Sequence, residues 1–443
     1  MSVSSEAAKP EVFTRKASGL VRVMSPLSAF IYNVLTMGLI FPWTYLWAPA
    51  SLPGGKIVWG ILLAMVIEIP IAFVYVWLST AMPRSGGDYV FQSRVFGGGV
   101  AFTVVMSGYV IWILQWVALS GWLLSNLGFA PLFLGLGATT GNATLADIGI
   151  WFTTSWGSVI TSILNALVAL VILASGFKNY IRLQTVMIIA TLIAFATMLI
   201  VLLSSTPAAA ALKLDSFAMA ISQVPDFVQT AINATVAAGV DLTPPFSLVA
   251  TILVAPIAWT SLQWATYSAQ QNGEIKDARS FKSQSFIIVG SLIFTGVLLA
   301  FLAFALERAV GTEFLYVAGA GYSGLQEGTI ASFYLWPNMI AVALTASPII
   351  VFLIGLGYIL NSHQIVHNCY IGMTRVMVAM SLDRLLPNWV SEVNERYHTP
   401  VNAHIAYFVA SIPVILVYNL WNPWTALTLG VTFACGYVFV ITC

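Results

Sequence analysis

The sequence predicts an all-α integral membrane protein with about ten transmembrane helices, and three observations carry that prediction. Hydrophobic types make up 59% of the 443 residues and charged types 7%, against about 25% charged in an ordinary soluble domain. Sixteen acids and seventeen bases cannot cover the surface of so long a chain, so much of that surface faces lipid. Ten stretches approach the ~20 apolar residues that a bilayer crossing needs, and the basic residues gather on one side of the resulting ladder.

The elements follow in order. Residues 1–23 form a polar segment with Lys9, Arg15, Lys16 and Arg22. The apolar stretch after it is too long for a secretory signal and lacks a small-residue cleavage site. Spans are expected at 27–48, 56–81, 100–127, 158–175 and 180–204, and, after a loop at 205–245, at 246–270, 285–306, 337–370, 401–419 and 424–443. A cytoplasmic N-terminus puts fourteen basic residues inside and three, Lys56, Lys213 and Arg308, outside. One span more or fewer would scramble that split, so it supports both the count and the orientation. Trp43, Trp47, Trp59, Trp151, Trp156, Trp336, Trp421 and Trp424 fall near the interfaces as an aromatic belt would. The long loops 128–157 and 205–245 lie outside, each holds one glycosylation-type triplet (at Asn142 and Asn233), and short surface helices are expected in both. The expected setting is the plasma membrane of a prokaryotic cell. Net charge is +1, which offers nucleic acid nothing. Cys435 and Cys443 lie eight residues apart on one helix, about 12 Å, too far to bridge. Cys369 is placed at the cytoplasmic end of the eighth span, and all three cysteines are read as free.

The ten spans divide into two halves, 24–204 and 246–443, and each half opens on an interrupted helix. The first span carries Asn33, Thr36, Met37, Gly38 and Pro42 near mid-depth; the sixth carries Pro256, Trp259, Thr260, Ser261, Gln263 and Trp264. Five passes separate the two starts, so the halves have opposite topology. Every backbone N–H and C=O in lipid must be paired, and a broken helix frees several at the midplane. Freed N–H groups at a positive dipole end suit a carboxylate, and freed carbonyls suit an ammonium or a sodium ion. Two such breaks side by side can hold a zwitterion without an ionised side chain.

Three further stretches carry a family resemblance. Pro83-Arg84-Ser85-Gly86-Gly87-Asp88-Tyr89 follows the second span, Gly273-Glu274-Ile275-Lys276-Asp277-Ala278-Arg279 follows the sixth, and Thr374-Arg375-Val376 with Ala379-Met380, Leu386-Pro387 and Thr399-Pro400 follows the eighth. Pro83 stops a helix and Gly86-Gly87 permit a tight turn. Arg84 and Asp88 are near enough to pair, and 376–389 has the spacing of a short helix in the interface plane. Together these stretches resemble the amino acid–polyamine–organocation transporters over essentially the whole chain. The resemblance implies a five-plus-five inverted repeat with discontinuous first and sixth helices, alternating access, and amino acids or related amines as substrates. It places substrate at Asn33, Thr36, Met37, Gly38, Trp259, Thr260, Ser261, Gln263 and Trp264, and a cytoplasmic gate at Arg84, Asp88, Tyr89, Glu274, Lys276 and Arg375. The sequence departs from the family in three places: Thr36-Met37-Gly38 replaces the usual small-residue run, the customary Gly and Glu of the sixth span are not recognisable near 262–266, and Trp77 stands where an acid is often found before the proline motif after the second span. The family usually has twelve helices, and this sequence ends within the tenth.

Coupling by Na+ or H+ is expected, with no other cofactor. Glu68 is the one acid placed near mid-membrane, where a carboxylate is a functional candidate. Some proton-driven relatives carry a Lys in the fifth span, and the matching position here is Thr191. A sodium site in this fold would lie between the first and eighth spans, with Asn361 and Ser362 as candidate oxygen donors; hydrogen bonds between helices are the alternative use of both. His363 and His367 have ligand spacing, but no third or fourth ligand is evident and no metal centre is expected. The partners are thus a small-molecule substrate and the bilayer, with oligomeric state open. A polyamine carrier would need more acid in the site, and an exchanger is the alternative within the class. A channel would need a repeated polar pore face, an intramembrane enzyme a nucleophile–base pair at depth, and an ATP-driven pump a nucleotide-binding loop.

Overall fold

A computed structural model describes residues 19–39, 43–326, 330–421 and 428–443, so Lys9, Arg15, Lys16, Pro42 and Trp424 lie outside the described residues. Helices dominate throughout, and among the described residues the extended pairing amounts to one isolated bridge between Met24 and Ile275. Among the described residues, eight helices are long and apolar enough to cross a membrane.

The first span is discontinuous. Ser25 caps α1 (Pro26–Met37) by accepting from the Ser28 amide at 3.1 Å, and Pro26 takes the first position, where no N–H is needed. The helix stops at Gly38, whose φ of 73° and ψ of 125° suit a residue without a Cβ. α2 (Trp43–Ser51) follows. α3 (Ile57–Ala81) is the second span and ends two residues before Pro83, and α4 (Gly87–Val95) starts on the Gly86–Gly87 turn outside the spans. α5 (Gly98–Thr140) contains two π-helical turns. α6 (Ala143–Thr153) occupies the first long loop, α7 (Ser155–Ala174) and α8 (Phe177–Leu203) complete the first half, and α9 (Pro207–Ser222) and α10 (Phe227–Ala237) fill the second long loop with the expected short helices.

The second half differs from expectation in detail. α11 (Leu248–Glu274) runs as α-helix through Pro256 to Leu262, then tightens to 3-10 winding from Gln263 to Glu274, with a kink at Gln271 (φ −111°, ψ 23°). The change of winding therefore comes after the proline, where a polar run, Gln263 to Glu274, replaces the apolar one. α12 (Phe281–Val310) crosses next, and α13 (Thr312–Tyr322) follows. The expected eighth span at 337–370 is two helices, α14 (Pro337–Ala343) and α15 (Pro348–Leu382). Pro348 has no N–H to continue a helix, and Ser347 caps the new one at Ile350. The crossing helix thus slides toward the C-terminus. Cys369 becomes a buried interior residue rather than an end residue, and 376–382 continue α15 instead of lying in the interface plane. α16 (Val401–Leu420) and α17 (Thr428–Thr442) complete the described chain.

Small residues set how closely the spans approach. A Cβ on Gly60 of α3 would lie 2.4 Å from the Val254 side chain of α11, and one on Gly357 of α15 would lie 2.1 Å from that of Ala194 on α8. On the face opposite Met24, two of the three isolated basic residues cap helix ends. Lys213 Nζ donates to the Leu344 carbonyl at 2.8 Å and Arg308 to that of Ser205 at 2.9 Å, where the last carbonyls of α14 and α8 lack helical partners.

Candidate functional site

Where α1 stops, α11 changes its winding, and the two touch. Ser261 donates to the Met37 carbonyl at 2.6 Å, just before the Gly38 break. One turn back, the Asn33 amide group accepts from the Ser268 amide at 2.9 Å and donates to the Ser268 hydroxyl at 3.0 Å and to the Ile287 carbonyl at 3.1 Å. These bonds fix the register of α1 against α11.

Beside this junction lies a cavity of ≈ 20 Å³ lined by Thr36, Ile113, Trp116, Trp264, Tyr267, Ile365, Asn368 and Cys369. It carries no charged side chain. Trp264 is the hub of its aromatic wall, with ring centroids 5.2 Å from Trp116 and 5.6 Å from Tyr267, both edge to face. Tyr267 stacks on Tyr32 of α1 at 6.1 Å. The polar end is a network. The Asn368 amide nitrogen donates to Thr36 Oγ1, while Asn368 Oδ1 accepts from Tyr180 at 2.8 Å and from Gln364 at 2.7 Å. Such a volume holds about one water, so anything larger enters only after the rings move.

Of the residues expected at the substrate site, Thr36 and Trp264 line the cavity and Asn33, Met37 and Ser261 build the junction behind it. Gly38 is the break itself. Thr260 holds the tail of α11, accepting on its carbonyl from Trp264 at 2.9 Å and from Gln263 at 3.3 Å. Trp259 turns away and donates to Glu68 Oε2 at 2.5 Å. Glu68 is fully buried on α3, and its Oε1 has no partner.

Sequence reasoning missed Asn368, Tyr267, Trp116, Cys369 and the two isoleucines. A signal existed for Asn368: Asn361, Gln364 and Asn368 recur at helical spacing on one face of α15. Asn361 donates to the Leu35 carbonyl of α1 at 3.3 Å, and its Oδ1, Ser362 Oγ and Thr191 Oγ1 are buried without hydrogen-bond partners. His363 pairs with Asn165 at 2.6 Å and His367 with the His363 carbonyl at 3.0 Å.

A buried ion pair lies at the Met24 face. Arg375 Nε donates to Glu274 Oε2 at 2.8 Å and Nη2 to Oε1 at 3.1 Å, with both side chains almost wholly buried. The guanidinium lies 5.1 Å from the Phe177 ring centroid and 3.4 Å from His404 Nε2. The Glu274 carbonyl accepts from the Val23 and Met24 amides, each at 3.0 Å, and the Lys276 amide donates to the Met24 carbonyl at 2.8 Å. Tyr89 donates to Asp383 at 2.9 Å. Asp88 does not pair with Arg84, which is exposed; it is buried and accepts from Tyr75, Gln270 and Thr442. On the opposite face a hollow of ≈ 370 Å³ opens among Phe227, Tyr322, Phe333 and Tyr334.

A family model described as amino acid permease matches residues 25–443. A solved structure of a Na+-coupled sialic acid symporter, in a substrate-bound outward-open state, superposes with a TM-score of 0.54 at 13% identity, covering 96% of this chain and 80% of that one. A curated relative, the uncharacterized protein 399 of Sulfolobus islandicus rod-shaped virus 1, is 27% identical over 120 residues, 27% of this chain and 30% of that protein. The chain thus spans under a third of the length of that relative.

Proposed function

Because the chain belongs to the amino acid permease family, we propose that it is a secondary active transporter that carries a small neutral amino acid by alternating access. One observation carries this reading: an uncharged cavity sits where the break of α1 meets the altered winding of α11. The end of α1 at Met37 and Gly38 and the stretch of α11 at Ser261 take the zwitterion, with Asn33, Thr260, Gln263 and Trp259 shaping the two segments around it. The substrate side chain lies among Trp116, Trp264 and Tyr267. No carboxylate lines the cavity, which disfavours polyamines.

In this reading 24–204 and 246–443 are inverted halves joined by 205–245, the N-terminus is cytoplasmic, and the Met24 face is the cytoplasmic gate. Glu274, Arg375, Tyr89, Asp88 and the Lys276 main chain close it, and exposed Arg84 flanks it. For coupling, Glu68 is the intramembrane acid. Asn361 Oδ1, Ser362 Oγ and Thr191 Oγ1, buried and unpartnered, fit a sodium ion in chemistry, and a Na+-coupled symporter shares the fold. A bound ion there would help hold α8 against α15. The test is uptake of labelled amino acids into proteoliposomes, with and without sodium and a pH gradient. Failure to take up or exchange any amino acid or amine rejects the reading.

A further inference from the structure

Buried charge is scarce in this molecule, which makes each instance informative. Among the described residues the buried carboxylates are Glu68, Asp88 and Glu274, and the buried guanidinium is Arg375. Arg375 is engaged by Glu274. Asp88, on α4 outside the spans, has three neutral donors instead: Tyr75, Thr442 Oγ1 at 2.6 Å, and Gln270 Nε2 at 2.6 Å.

That shell serves both states of the carboxyl. Two donors are hydroxyls, which can turn and accept. The third is an amide whose Oε1 has no partner, and rotating the amide by half a turn presents that oxygen to a protonated Oδ2. A fixed ion pair has no such freedom. Burial pushes the Asp88 carboxyl above its ordinary range, against the opposing pull of the three side-chain hydrogen bonds and of its own backbone amide.

The same shell ties Asp88 to the cavity. The Gly86 amide donates to the Gln270 carbonyl at 2.7 Å. A Cβ on Gly87 would lie 2.4 Å from Gln270 Oε1, so the turn is pressed against that side chain. Gln270 lies three residues beyond Tyr267 in the same 3-10 segment, and Tyr267 is cavity wall. Undocking that segment from α4 removes a donor from Asp88 and opens it toward the exposed side of Arg84.

We propose that Asp88 is a proton-binding site of the transport cycle, loaded while the 3-10 segment of α11 is docked and released to water on the Met24 face when it undocks. The step is a simple transfer: the carboxyl O–H breaks, the proton passes to water, and the carboxylate stays. The inference rests on the transport reading of the cavity. The titratable groups on surrounding elements are Tyr75 and Glu68 on α3, Tyr109 on α5, Tyr267 and Glu274 on α11, Arg375 and Asp383 on α15, and Cys443, with Tyr89, Arg94 and Arg84 on or beside α4. Glu274 is already the partner of Arg375 and Asp383 that of Tyr89.

Two measurements test it on the full chain. In proteoliposomes with an entrapped pH dye, substrate-evoked proton movement is expected in the parent and lost in Asp88→Asn, together with accumulation driven by a pH gradient. In detergent without substrate, thermal unfolding is followed against pH. A carboxyl raised in the folded state contributes stability at low pH that is lost as pH rises from about 4 through the raised value. Asp88→Asn removes that decline. Equal proton movement per substrate, or an equal pH decline, overturns the proposal. Should Asp88→Asn not fold, Tyr75→Phe removes a donor to the charged form and moves the midpoint of the pH profile upward; an unmoved midpoint overturns it. If the parent moves no amino acid, the transport reading fails, while the unfolding measurement still decides whether Asp88 holds a proton.

Discussion

Glu274→Gln tests the closure of the Met24 face. Arg375 makes two hydrogen bonds to the Glu274 carboxylate, at 2.8 and 3.1 Å, inside a contact that leaves the two side chains 0% and 1% exposed. A glutamine can accept one of them and turns its own NH2 toward the guanidinium. Removing one partner of a buried pair costs about 3–5 kcal/mol. The lower end applies here, because Phe177 and His404 still face the cation. The penalty falls on the closed arrangement alone, since opening hydrates Arg375. About 3 kcal/mol corresponds to roughly a hundredfold shift toward the open form. Cys369 reports it, being buried in the cavity wall. In a Cys435→Ser, Cys443→Ser background, its reaction with a soluble thiol reagent should quicken by up to that factor. Adding Arg375→Gln removes the orphaned cation and should slow labelling again. A rate within about twofold of the parent, at unchanged thermal stability, would refute the assignment of Glu274–Arg375 as the lock.

Other consequences can be checked in the same preparations. Gly38→Val forces a branched side chain into a backbone with φ of 73°; a loss of about 1–3 kcal/mol in stability is expected, read as a lower unfolding temperature. Trp264→Ala removes the ring that meets both Trp116 and Tyr267; KM for small substrates should rise roughly tenfold or more, with bulkier ones gaining, and an unchanged preference among substrates would take Trp264 out of the pocket. Glu68→Gln keeps an acceptor for Trp259, so the protein should fold while proton-driven accumulation is lost; unaltered accumulation would remove Glu68 from coupling.

Much of the architecture was legible because it follows from one-dimensional rules. Apolar length marked the span at Ile57–Ala81 to within a residue, and the pairing of Gly38 with a nearby proline marked the break in the first span. Prolines misled in both directions. Pro256 is absorbed within α11, while Pro348 resets a helix inside a stretch that reads as continuous apolar sequence. That one reset moved Cys369 from an end to the cavity wall and hid Asn368. The wall was unreadable for a related reason. Trp116 and Tyr267 come from distant helices; which face of the apolar helix around Trp116 turns inward is decided by packing against neighbours, not by amphipathic pattern, and the polar run around Tyr267 is buried all round. The family resemblance singles out Asp88 as a gate candidate, but its partners Tyr75 and Thr442 lie 13 and 354 residues away, beyond any local motif.

Glu274 does two jobs through two different parts of itself. Its side chain grips α15, and its main-chain oxygen holds the strap at Val23 and Met24 that leads into α1. Load arriving at either attachment therefore passes through one α-carbon, and the two fastenings cannot slip independently. Such a knot favours all-or-nothing release over gradual leakage, the property a carrier needs if its two doors are never to stand ajar together.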